Sequence, residues 1–115
     1  METDIIKKYK LNFEIRKREK FPTSINMALT DFLYSWSNIK YINEDLLPFV
    51  DEALLGNVDI NNCDIGGGGT VAFVEQSTKL CAKWGNVSGY LNPEFELPTI
   101  DFKKIIILWR DFLLS

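Results

Sequence analysis

Eighteen residues near the carboxyl end, Pro98 to Ser115, constrain the fold more than any other stretch. They read PTIDFKKIIILWRDFLLS. Phe102, Ile105, Ile106, Trp109, Phe112 and Leu113 recur at helical spacing and make one broad apolar stripe. Lys103, Lys104, Arg110 and Asp111 fall largely outside it. Asp101 stands where an N-cap belongs, and Pro98 keeps the preceding chain extended. Each large side chain contributes about 1.5–3 kcal/mol when fully buried, so this helix carries a major part of the folding free energy. The rest of the chain must supply the surface that covers it.

The chain has 115 residues, enough for one domain (1–115) around a single core. Its opening, Met-Glu-Thr-Asp, is acidic where a secretory leader would be basic. The longest purely apolar run, Ile105 to Trp109, is far shorter than the ~20 residues a bilayer requires. A cytoplasmic protein is expected. Two cysteines, Cys63 and Cys81, make no disulfide framework and fit no metal-ligand spacing. Histidine is absent, which removes histidine-based triads, the commonest zinc ligand and the usual near-neutral acid–base group.

The pattern predicts the order β-α-α-β-β-β-α. Alternation of Tyr9, Leu11, Phe13 and Ile15 with polar residues predicts a strand over Lys7 to Lys17. Phe21 to Ser24 breaks it, and Ser24 caps a helix presenting Ile25, Leu29, Phe32, Leu33 and Trp36. A second helix is expected from Asn43 to Leu55, irregular or kinked at its start because of Pro48, with Gly56 as its left-handed stop. Val58 and Ile60 suggest the next strand. Thr70 to Glu75 is apolar on both faces, as in a central strand covered on both sides. Gln76 to Thr78 is then a turn, Lys79 to Trp84 a strand, Gly85-Asn86 a turn and Val87 to Tyr90 a short strand. Asn92-Pro93 and Pro98 frame an extended link carrying Glu94 and Glu96. The expected class is α+β: an antiparallel meander packed by about three helices.

Gly66-Gly67-Gly68-Gly69 lacks the lysine and the following helix of a phosphate-binding loop. It reads as a connection between strands, not a nucleotide site. Trp36, Trp84 and Trp109 read as core anchors, although Trp84 or Tyr90 near a loop would also suit an interface. Asp59, Asp64 and Glu75 sit in or beside neighbouring strands, but their spacing matches no metal site; neither metal nor cofactor is expected.

The net charge of −3 hides an uneven distribution. Met1 to Lys20 holds seven basic and four acidic residues. Tyr41 to Thr78 holds seven carboxylates and no lysine or arginine. Such a run either covers a solvated face or creates a negative field that steers a basic partner and repels nucleic acid.

The glycine-interrupted strand and an ending of the form DF..II.LW.DFL, in a small acidic α+β chain, resemble bacterial immunity proteins. Those proteins are the partners of contact-dependent growth inhibition and related polymorphic toxins. The likeness spans mainly Val71 to Leu114 and carries no residue-level recognition motif. It implies a non-enzymatic cytoplasmic protein that binds one cognate toxin domain, frequently a nuclease, and occludes it. A nuclease cleft is basic because it holds phosphates, and carboxylates mimic them. The expected contact residues are Asp51, Glu52, Asp59, Asp64 and Glu75, with Glu94 and Glu96 secondary. Two other classes stay open: a small enzyme using Cys81, if its thiol is partly exposed with a lowered pKa and not simply a half-buried cysteine, or a carboxylate pair; and a nucleic-acid-binding module using Arg16, Lys17 and Arg18.

Overall fold

The computed structural model describes residues 2–67, 69–81 and 90–115. The class is α+β, as the pattern predicts, but the strands divide into two antiparallel sheets, of two and four strands. The amino-terminal third departs most from expectation. It begins with a helix, α1 (Glu2–Lys8), and continues into a hairpin of β1 (Asn12–Arg16) and β2 (Glu19–Thr23). Tyr9 and Leu11 are buried, as their alternation with polar residues suggests, but they belong to the connection from helix to hairpin. Arg16 pairs with Glu19, so the hairpin turns on two residues, Lys17 and Arg18. Both have positive φ, 51° and 73°. A two-residue turn of this kind normally advertises itself with asparagine or glycine, and here that signal is missing. Phe21 and Pro22 therefore continue a strand. Proline is tolerated because β2 bonds to β1 alone.

Helix α2 (Met27–Ser35) is capped by Asn26, whose side-chain oxygen accepts from the Ala28 and Leu29 amides at 2.8 and 3.4 Å. Ser24, the expected cap, instead donates to the Asn26 carbonyl. The next helix starts earlier than expected, with α3 (Ile39–Tyr41). It widens into a π-helical turn (Ile42–Leu46) and resumes as α4 (Leu47–Leu54). Pro48 explains the irregularity: it has no N–H for the carbonyl four residues back, and its ring crowds that carbonyl. Helix α4 ends as anticipated at Gly56, φ 81°, where the Gly56 and Asn57 amides bond back to Ala53 and Glu52.

The strand expected at Val58–Ile60 is absent, because local side chains capture the backbone. Asp59 accepts from the Asn61 amide at 2.8 Å, and Asn62 accepts from the Asp59 amide at 2.6 Å. The four-stranded sheet follows, in order β3 (Asp64–Gly67), β4 (Thr70–Val74), β5 (Ser77–Cys81) and β6 (Phe95–Pro98). Gly67 pairs with Thr70, so the glycine run closes the β3–β4 hairpin; Gly68 is outside the described residues. Strand β4 is internal and buried along its whole length, as its apolar pattern requires. Ser77 and Thr78 belong to β5, leaving Glu75 and Gln76 as the bend. The supposed Pro93–Pro98 link is partly a strand, with Glu96 opposite Lys79. Of the expected strand Lys79 to Trp84, the residues after Cys81 lie outside the described chain. So do the Gly85-Asn86 turn and Val87 to Gly89; Tyr90 itself is helical.

Helix α5 (Thr99–Leu114) begins two residues before Asp101, which sits in its first turn. Phe102, Ile105, Ile106 and Trp109 are fully buried, and Phe112 and Leu113 pack at the margin of the same core. On one side the stripe packs against β5 and β6, and Ala72, Val74, Leu80 and Leu97 of the larger sheet share its core with α2. At the other end, Phe13 of β1 stacks near Trp109 and Phe112, with ring centroids 5.2 and 5.6 Å apart. Among the described residues no helix is long and apolar enough to cross a membrane.

Candidate functional site

Pairing registers divide the larger sheet into two faces, because side chains alternate along a strand and cross-strand partners share a side. Ile65, Ala72, Leu80 and Phe95 form one row, which lies on the helices. Asp64, Phe73, Lys79 and Glu96 form the adjacent row on the outer face. Val71 and Cys81 belong to that outer face too, and with Phe73 and Cys63 they make a small second apolar cluster flanked by Val58 and Tyr90. Tyr90 stands edge-on to Phe73, centroids 5.4 Å apart, and the Lys79 ammonium lies 3.8 Å from the Tyr90 ring centre.

Carboxylates surround this patch. The Tyr90 hydroxyl donates to Glu75 at 2.5 Å, which raises the tyrosine pKa. Burial raises the Cys63 pKa, and the charges of Glu75, Asp64 and Asp59 add to the effect. Glu94 acts likewise on Cys81. Glu96 accepts from the Ser77 hydroxyl at 2.7 Å. Five of the seven expected contact residues, Asp59, Asp64, Glu75, Glu94 and Glu96, thus gather on or around the outer face. Among the described residues none of the five forms an ion pair, and all but Glu75 are exposed. Among the described residues, Lys79 is the cation in their midst.

Asp51 and Glu52 are elsewhere, on α4, which packs against α5. Asp51 is bonded to Lys103 at 2.7 Å, and Glu52 accepts from the Asn57 side chain at 2.8 Å. Two basic residues of the amino-terminal third are paired elsewhere: Lys8 meets Asp101, and Arg16 pairs with Glu14.

An exposed, acidified Cys81 is not what the fold contains. Alternation with Lys79 places it on the outer face as expected, yet the apolar cluster covers it to 4% exposure. Burial first, and Glu94 second, push its pKa up, opposite to what a thiolate nucleophile needs. Arg16, Lys17 and Arg18, read from sequence as a strand end, form the corner and tip of the β1–β2 hairpin. Comparison with known protein families, with curated proteins and with solved structures finds no match to this chain.

Proposed function

We propose that this chain is a non-enzymatic inhibitor of the bacterial immunity type, which neutralises a basic toxin domain by non-covalent occlusion in the cytoplasm. A nuclease is the favoured target, since its phosphate-binding cleft complements a carboxylate-lined surface. One observation carries the reading: carboxylates from the loop before β3, from β3, from the β4–β5 bend and from β6 and the residue before it ring one sheet face without ion-pair partners among the described residues. Tyr90, half-buried and edge-on to the buried Phe73, is the aromatic at its centre, of the kind that charged rims surround in protein interfaces. Asp51 contributes less, because Lys103 already offsets its charge.

The test is association kinetics with the captured toxin domain. Simultaneous reversal of Asp59, Asp64 and Glu96 to lysine should slow association by about tenfold or more at low salt and flatten its salt dependence. Unchanged low-salt kinetics would remove the electrostatic basis of the proposal.

A further inference from the structure

The tip of the β1–β2 hairpin borders a cleft of about 510 Å³, lined by Arg18, Glu19, Lys20, Tyr34, Ser37 and Leu113. That volume lies in the range of small-molecule sites. The Lys20 ammonium is held at the cleft by main-chain oxygens of Phe112, Leu113 and Ser115, at 3.0, 3.1 and 2.6 Å. Ser37 donates to the Tyr34 carbonyl at 2.6 Å. Two donors are left over: among the described residues, neither the Arg18 guanidinium nor the Tyr34 hydroxyl has a hydrogen-bond or ion-pair partner. Tyr34 is nevertheless fixed, its ring stacked on Phe21 at 5.1 Å and 7°. Glu19 is the carboxylate side chain of the lining, against the two cations Arg18 and Lys20.

We infer that this cleft binds a phosphate monoester with an organic body, of the size of a nucleoside monophosphate. A guanidinium fork matches phosphate oxygens, a phenol adds a third donor, and fixed positive charge favours a dianion. The cleft is too large for a bare oxyanion, and Tyr34 and Leu113 give it aromatic and apolar wall. The site lies on the hairpin and the carboxyl end of α5, separate from the acidic sheet face, and stands whether or not that face binds a toxin.

The hairpin backbone supplies a discriminating variant. Arg18 has φ 73°, a conformation that glycine adopts without strain. Arg18→Gly therefore relaxes the turn while deleting the guanidinium. If Arg18 served only the fold, this variant would change nothing in binding. The experiment titrates the isotopically labelled chain with adenosine 5′-monophosphate and, separately, inorganic phosphate, following backbone amide resonances. Adenosine 5′-monophosphate should saturably shift Arg18, Lys20, Tyr34 and Ser37. Arg18→Gly and Arg18→Gln should each bind about tenfold more weakly, with Arg18→Gly melting no lower than the parent. Absence of saturable shifts, shifts centred elsewhere, or undiminished binding by both variants would overturn the site. Equal affinity for inorganic phosphate would overturn the organic part of the ligand.

Discussion

Tyr9 stands where the first helix meets the last. Its ring is 4% exposed, and its hydroxyl donates to Asp101 at 2.6 Å, while the Lys8 ammonium approaches the same oxygen at 3.3 Å. Burial alone would raise the Asp101 pKa, but the Tyr9 hydroxyl and the Lys8 charge outweigh it and hold the carboxyl below its ordinary value of 3.8. Burial, with Asp101 beside it, pushes the Tyr9 pKa up. Tyr9→Phe removes the hydroxyl donor from a part-buried carboxylate, leaving it Lys8 and the charge of Lys104, and should cost about 2 kcal/mol in urea unfolding. The sign of the pH effect follows from the lowered carboxyl pKa: its stabilisation is complete above the ordinary carboxylate value and disappears as pH falls through the folded value. Asp101→Asn should therefore be less stable than the parent at about pH 7, with the gap narrowing by about pH 2.5. No sequence pattern announces this contact. Asp101 reads as a cap because it precedes an apolar run, and its partners lie more than ninety positions away.

Among the elements, those whose shape follows from their own residues were legible, and those decided by a distant partner were not. The α5 stripe, the largely apolar β4 and the glycine that ends α4 all carry local signals, and each is found where those signals put it. Strand β6 and the β1–β2 hairpin lack them. β6 reads as a link because its strand character comes from β5 alongside it, and the hairpin turns on lysine and arginine instead of the customary small residues. Of the five outer-face carboxylates, Asp59, Asp64 and Glu75 were readable as part of a charge bias, but their gathering with Glu94 and Glu96 and their separation from Asp51 and Glu52 depend on sheet pairing that no periodicity contains. The α4 terminus offers a direct measurement at this scale. A Cβ on Gly56 would meet nothing within 4 Å, so Gly56→Ala tests backbone conformation alone. It should destabilise the protein by about 1 kcal/mol in urea, through left-handed strain and without any packing defect.

At the scale of the molecule, both sheets and α2 share one helix as their common wall. The Trp109 indole donates to the Trp36 carbonyl at 2.9 Å, its ring meets Phe13 of the hairpin, and its neighbours Ile105 and Ile106 belong to the core that includes the larger sheet. The hairpin therefore has no separate core to melt around. Tryptophan fluorescence and far-ultraviolet circular dichroism should report coincident urea transitions, whereas displaced midpoints would show the hairpin unfolding apart from the larger sheet. Position in the chain adds a further consequence. Every surface that α5 covers is synthesised before α5 itself, so a nascent chain emerging from the ribosome holds unsatisfied apolar faces on α2, β1 and β4 at once. The core cannot close until α5 has emerged, and until then the growing polypeptide exposes the apolar surface which that helix buries.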